Sequence, residues 1–353
     1  MASRGCEGRA GAVPVGVAAG CGVLLVAVYA LAVWTVPGQR FEDAVLRAAW
    51  PGRASPLVTA LDTISIWSLA LAAGLVGWIG HRAGGRAIAV ATVLMIFATV
   101  TTTELLQAVL PRPILLAHGF RREDRSFPSG HTAVATAVLC GLLLAVPVRL
   151  RSWTVLPVLL GSAGIGAATV TASWHRPSDT IGSALIVMIG VCLTIAVLRR
   201  RGFLVPHTQT AEGGRIVGAV LGVFVTAAVA VAVFAGHRAT TALNLTDDPD
   251  LAPHGAVVAG RALAIAAAGT ATLMTFLLLR GHGPARDARA RERAPATSTG
   301  RSRTTATSTD RSRTTATSTD RSRTTATSTD RSRKAAANAD RSRTAQNRRA
   351  QPN

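Results

Sequence analysis

The sequence predicts an all-α, polytopic transmembrane helix bundle followed by a disordered basic tail. Three observations predict it. The chain is 49% hydrophobic with a mean hydropathy of +0.34 despite a long polar C-terminus, a balance that favours a membrane protein over a soluble one. Eight stretches are long and apolar, and a helix needs roughly 20 such residues to cross a hydrocarbon core of about 30 Å. Beyond about residue 281 the composition turns polar and repetitive.

The eight spans fall at about 12–36, 57–80, 87–110, 130–148, 154–172, 180–198, 215–236 and 256–279. They consist mainly of Ala, Val, Leu, Ile and Gly with little interior charge, and helix is the state that satisfies every backbone group within one segment in lipid. Abundant Gly and Ala permit close helix packing. Arg4 and Arg9 precede the first span as in a secretory signal, but its apolar run is too long and no clear small-residue cleavage site follows, so it reads as a plain span. Cys6, Cys21, Cys140 and Cys192 are scattered without metal or redox spacing; three sit inside spans, where a cysteine is usually a small packing residue.

Basic residues follow the second span (HRAGGR), the fourth (Arg149, Arg151) and the sixth (Arg199, Arg200, Arg201). Cationic short loops mark the cytoplasmic side, which puts both termini there and the odd-numbered exits outside. Two outer loops run against that rule: the first carries Arg40, Arg47 and Arg53, and residues 111–128 carry Arg112, Arg121, Arg122 and Arg125 beside Glu123 and Asp124. Anion binding explains outward arginines; solvated loop charge is the alternative.

A ten-residue unit, ATSTDRSRTT with variants, repeats from about Ala296 to Ala345. It has no apolar face and cannot bury a core, so it reads as disordered and not as a solenoid. Residues 281–353 hold 17 basic and 6 acidic side chains, more than half of the chain's net +20. Tethered beside a bilayer, that charge is attracted to anionic lipid headgroups by about 1 kcal/mol per basic residue near the surface, a likelier use than nucleic acid; a passive solvated tail is the simplest reading.

Two outward loops carry reactive residue types. PRPILLAHGFRREDRSFPSGH supplies Arg112, Ser129, Gly130 and His131; SWHRPSD supplies His175 and Asp179. A phosphate ester needs donors on its non-bridging oxygens, a nucleophile in line with the leaving group and a proton for the departing oxygen. Arg112 offers a guanidinium fork, and Ser129 with the N–H groups around Gly130 forms a helix start that favours an anion. His175 and Asp179 are one helical turn apart, so the carboxylate can orient the imidazole for attack, leaving His131 as the acid. Taken singly, Ser129 and Asp179 also read as ordinary helix caps.

Arg112-Pro113, then Pro128-Ser129-Gly130-His131, then His175 with Asp179 resembles the type 2 phosphatidic acid phosphatase superfamily, over roughly residues 57–200. The resemblance implies a six-helix core (1–205), leaving two additional spans (206–280) and the tail (281–353). It implies metal-independent, cofactor-free hydrolysis of a lipid phosphate or polyprenyl diphosphate at the outer face, through a phosphohistidine on His175, with His131 protonating the leaving group and later activating water, and with Arg112, Ser129 and Gly130 holding the phosphate. Two family positions differ: Leu105 stands where the pattern has a lysine, and Thr169, preceded by Ala168, where it has Ser-Arg. Arg176, Arg121, Arg122 and Arg125 are candidates to compensate. Phosphoryl transfer to another acceptor and a catalytically weakened lipid-phosphate binder are the alternatives.

Glu104 and Arg261 lie inside spans near the outer boundary, where an ionisable side chain finds a partner or snorkels; Glu104 is a candidate partner for Arg112. The outer loop 237–255 carries Asp247, Asp248 and Asp250, which reads as a solvated loop more readily than as a weak cation site.

Overall fold

The computed structural model describes residues 3–49, 61, 63–117, 119, 126–207, 212–245, 248, 251 and 253–286. Arg53, the run Arg121 to Arg125, Asp247, Asp250, the Cys6 side chain and the repeats lie outside the described residues. All of the described residues fall within one unit, Met1–Ala296.

Among the described residues run nine helices: α1 (Ser3–Val33), α2 (Val36–Ala49), α3 (Ile66–Gly84), α4 (Arg86–Val109), α5 (Gly130–Ala145), α6 (Val148–Thr171), α7 (Pro177–Arg200), α8 (Glu212–Asn244) and α9 (His254–Leu279). Six of them contain segments long and apolar enough to span a membrane: Ala12–Val33, Arg86–Val109, Val148–Thr171, Pro177–Arg200, Gly214–Asn244 and His254–Leu279. The other two expected spans are helical but weaker. α5 has 16 residues, and α3 carries His81 and Arg82 in its last turn.

Among the described residues, the helix the sequence reading misses is α2. Residues 36–49 read there as loop because Pro37, Gly38 and four charged side chains interrupt the apolar pattern. In the fold the Gly38 N–H donates to the Thr35 hydroxyl (3.1 Å), the bond expected of a helix cap, and the Arg47 guanidinium pairs with Asp43 one turn earlier (2.7 Å). Gly38 is required at the α1–α2 turn: a Cβ there would collide with the Leu31 carbonyl oxygen. α2 buries Ala44 and Val45 against Val170 of α6, Leu243 of α8 and Ala256 of α9.

α7 is the most buried of the long helices, and α1 and α8 are the least. Val187, Val191, Cys192 and Ile195 of α7 are core residues in one cluster with Ala18 of α1, Met95 and Ile96 of α4, Ala137 and Cys140 of α5 and Ala271 and Phe276 of α9. Small residues set the spacing: a Cβ at Gly190 would meet the Thr99 methyl, and one at Gly260 would lie 2.7 Å from Val45 Cγ1 and 3.1 Å from Pro177 Cγ. Large apolar side chains such as Trp67, Leu71 and Val223 point outward, as a lipid-facing surface requires. On α9, Arg261 has a buried Nε without a hydrogen-bond partner among the described residues.

At the end of the bundle opposite the α4–α5 and α6–α7 connections, β1 (Leu204–Pro206) pairs antiparallel with β2 (His282–Pro284). Gly202 and Gly281 supply the left-handed turns that lead into the strands, φ 68° and 73°. Arg151 fastens this strap by donating to the carbonyls of Leu279 (3.1 Å) and His282 (2.6 Å), and Arg199 donates to the Leu278 carbonyl.

Burial lowers the His282 pKa, and the guanidiniums of Arg199 and Arg151 push the same way, against the Arg280 carbonyl. The unfolded strap therefore binds a proton more readily than the folded one. The stabilisation is present above the ordinary histidine value of about 6.5 and is lost as pH falls below it. Amide exchange at Ala285, whose N–H bonds the Phe203 carbonyl (3.0 Å), should quicken below about pH 6 beyond the intrinsic rate change, and His282→Gln should remove that excess.

Candidate active site

Ser129 caps α5. Its hydroxyl accepts the Thr132 N–H (3.3 Å), which aligns the first turn and puts Gly130 and His131 at the helix start. The Ser129 N–H donates to the Asp179 carbonyl (3.0 Å), and the Ser183 hydroxyl donates to the carbonyls of Ser129 (2.6 Å) and Asp179 (2.9 Å). The two reactive loops are therefore joined backbone to backbone. A Cβ at Gly182 would lie 2.7 Å from Phe127 Cζ, so the segment before Ser129 lies directly on α7.

The second loop leaves α6 through Ser173, which sits in the left-handed region (φ 55°) with its hydroxyl on the Leu46 carbonyl (3.1 Å). The N–H groups of Trp174 and His175 both reach the Thr169 carbonyl, at 3.1 and 3.3 Å. α7 then starts on Pro177, with Asp179 Oδ2 accepting the Arg176 N–H (2.9 Å) in a capping-box arrangement. Capping and catalysis are not exclusive: the same carboxylate oxygen lies 3.5 Å from His175 Nδ1. The His131 and His175 rings are 6.0 Å apart between centroids, and the Trp174 ring flanks His131 at 5.4 Å. His175 is 9% exposed and Asp179 fully buried, while His131 is half-buried.

Arg112 arrives from the α4–α5 connection and lies with these residues, but its partner is not Glu104. Glu42 of α2 takes Arg112 Nη2 at 2.5 Å, and Asp179 Oδ1 is 3.9 Å from Nη1. Nη1, Asp179 Oδ1 and His175 Nδ1 are buried without a hydrogen-bond partner among the described residues. One arm of the expected fork is thus occupied and one is not. The Glu104 carboxylate instead points at Gly130, where a Cβ would lie 2.6 Å from Oε1.

The sequence singles out Arg112, Ser129, Gly130, His131, His175 and Asp179, and all six fall at this end of the bundle. Leu105 is 60% exposed on the outside of α4, and Thr169 is fully buried with its hydroxyl on the Gly166 carbonyl (2.8 Å). Neither contributes a cation. Arg176 is 5% exposed, bonds the Ser126 hydroxyl (2.8 Å), and shares with Arg112, Gln39 and Asp43 the lining of a small pocket.

Glu42 escapes sequence reasoning because it belongs to the unpredicted α2. Burial pushes its carboxyl above the usual range and neighbouring Asp179 adds to that, while Arg112 and the Ser178 contact pull it down. Only an acidic residue placed i+3 from Gln39 on a short amphipathic segment hinted at a buried face.

Residues 66–203, from α3 through the end of α7, match the family model of the PAP2 superfamily. No curated protein and no solved structure matches the chain. Superfamily membership implies phosphatase-type activity, and six long apolar helices make the host a multi-pass membrane protein. The match from Ile66 to Phe203 is consistent with a PAP2 family membrane protein, set within a bundle of long apolar helices.

Proposed function

We propose that this protein is a metal-independent membrane phosphatase that hydrolyses a lipid phosphate or diphosphate through a phosphohistidine. The observation that carries the reading is the pairing of two imidazoles 6.0 Å apart with a carboxylate 3.5 Å from one of them. Asp179 on Nδ1 selects the tautomer in which His175 Nε2 holds a lone pair. Nε2 attacks phosphorus, the bond to the leaving oxygen breaks, and His131 gives that oxygen its proton. In the second half His131 takes a proton from water, the hydroxide attacks phosphorus, and the P–N bond breaks to release inorganic phosphate.

The non-bridging oxygens fall to Arg112 Nη1, to the N–H groups at the start of α5 and to Arg176. Arg176 is the cation best situated to serve where Leu105 and Thr169 offer none, being buried next to the nucleophile and lining the same pocket as Arg112. Arg176→Ala should lower kcat/KM by about 30-fold, the equivalent of about 2 kcal/mol for a charge-assisted contact, and Arg176→Lys should recover part of it. Steady-state kinetics on one lipid phosphate checks this.

The substrate keeps its tails in the bilayer and brings its headgroup to the interface. Arg82, Arg86, Arg149, Arg199, Arg200 and Arg201 lie at helix ends opposite the site, which supports an outward-facing site and cytoplasmic termini. Anionic headgroups are the natural partner for the basic tail.

A second reading, a lipid-phosphate binder without turnover, draws on Arg112 being held by Glu42 together with Leu105 and Thr169. Transfer of the phosphoryl group to an acceptor other than water uses the same residues. Phosphate release from a panel of lipid phosphates and diphosphates in EDTA separates these. Release sustains the hydrolase; consumption of the lipid without release indicates transfer; neither leaves the binder.

A further inference from the structure

The matched segment begins at Ile66, yet side chains from α1 and α2 hold both loops of the site. The Tyr29 hydroxyl donates to the Pro111 carbonyl. Gln39 donates to the carbonyls of Val33 and Pro113 (2.7 Å each) and accepts the Leu115 N–H (3.2 Å), which clamps the backbone on either side of Ile114, just beyond Arg112. Glu42, one turn further on the same face of α2, accepts from Arg112 Nη2 with Oε2 (2.5 Å) and from the Ser178 N–H with Oε1 (3.2 Å). A single carboxylate thus ties the α4–α5 connection to the first turn of α7.

Arg112 lies between two buried carboxylates, Glu42 at 2% and Asp179 at 0% exposure. The second is the one that faces His175. At 3.9 Å from Nη1, Asp179 is the nearest alternative partner for the guanidinium, and a buried charge that has lost its partner is strongly disfavoured until it is paired again. Without Glu42, Arg112 closes on Asp179 and competes with His175 for it.

We propose that Glu42 is a positioning residue of the site: by holding Arg112 Nη2 it keeps Asp179 for His175 and leaves Arg112 Nη1 for the phosphate, making α2 a working part of the enzyme. This rests on the phosphatase reading given above. It predicts an effect on the chemical step and not on phosphate capture, because removing Glu42 also removes a negative charge from beside the anion.

The test uses the full chain in detergent as wild type, Glu42→Gln, Glu42→Asp, Arg112→Ala and the Glu42→Gln/Arg112→Ala double variant. Glu42→Gln should lower kcat about tenfold or more with KM unchanged or lower, Glu42→Asp should recover most of that loss, and the double variant should match Arg112→Ala, since Glu42 acts on the chemical step through Arg112 and a glutamine amide oxygen still accepts the Ser178 N–H. An unchanged kcat, a rise in KM that matches the fall in kcat, or losses that multiply in the double variant would overturn the proposal. The Arg112→Ala pair stays informative should Glu42→Gln not fold, because removing both partners leaves no unpaired buried charge.

The second readout needs no turnover. The His175 Nδ1–H proton, which faces Asp179 Oδ2 at 3.5 Å, should resonate upfield in Glu42→Gln relative to wild type, because Arg112 draws the carboxylate away from it. Histidine-labelled NMR, assigned by the loss of one resonance in His175→Ala, reports it. A wild type that releases no phosphate from any lipid defeats the hydrolase reading alone, and the His175 Nδ1–H signal still decides the role of Glu42: an upfield move sustains it and an unmoved signal overturns it.

Discussion

Replacing His175 with alanine is expected to abolish phosphate release, a loss on the order of 10⁴-fold or more, while the protein keeps its fold. The imidazole is the only nucleophile the proposed reaction uses. Removing it leaves the donors at the α5 start and Arg112 in place, so the variant should still bind inorganic phosphate. The fold should survive because the loop is held by other groups: the Thr169 carbonyl receives the backbone N–H of residue 175, and Ser173 is anchored to Leu46. Malachite-green release in EDTA, with size-exclusion elution and unfolding temperature as the fold controls, checks it. Residual turnover within about tenfold of wild type would remove His175 from the nucleophile role.

Asp179→Asn is expected to lower kcat on the order of 10³-fold with a smaller effect on KM. The carboxylate makes three contacts that an amide cannot reproduce together. Oδ2 accepts the Arg176 N–H at 2.9 Å and faces His175 Nδ1 at 3.5 Å, and Oδ1 faces Arg112 Nη1 at 3.9 Å. An asparagine that keeps its oxygen on the Arg176 N–H turns its NH2 donor toward the guanidinium, which is a donor as well. In the flipped orientation the NH2 faces both the Arg176 N–H and His175, and the imidazole loses the acceptor that selects its tautomer. The Asp179 backbone carbonyl keeps its bonds from Ser129 and Ser183, so the loops stay joined. A loss of kcat with the unfolding temperature little changed separates the orienting role from simple capping, which would cost about 1 kcal/mol of stability and leave kcat near normal.

The helical class was legible because lipid leaves the backbone few options and the apolar runs are long. Boundaries moved where charge or turn residues blurred a run: the span expected at 57–80 is a helix beginning at Ile66, and that expected at 215–236 extends over Glu212–Asn244. α2 was illegible for a different reason. It is short, its buried face includes Gln39 and Glu42, and polar side chains that satisfy one another inside a fold look like a solvated loop in a sequence.

The six candidate residues stood out because their types and spacing suit one reaction, and the fold brings them to one end of the bundle. Their arrangement was less so. Ser129 is fully buried and occupied in capping α5, Arg112 has one arm committed to Glu42, and Glu104 lies against Gly130 and not against Arg112. Those details depend on which helices pack side by side. Spacing along the chain does not encode that.

The measurement that tests the central claim most directly is capture of the phosphoenzyme. Wild type, His131→Ala and His175→Ala would be mixed with a phosphorus-labelled lipid phosphate in EDTA, quenched in alkali and digested. Label that is stable to alkali, labile to acid and confined to the peptide containing His175, absent from His175→Ala, is the predicted result. Phosphate release by the wild type with no label on the protein, or label that persists in His175→Ala, would contradict it.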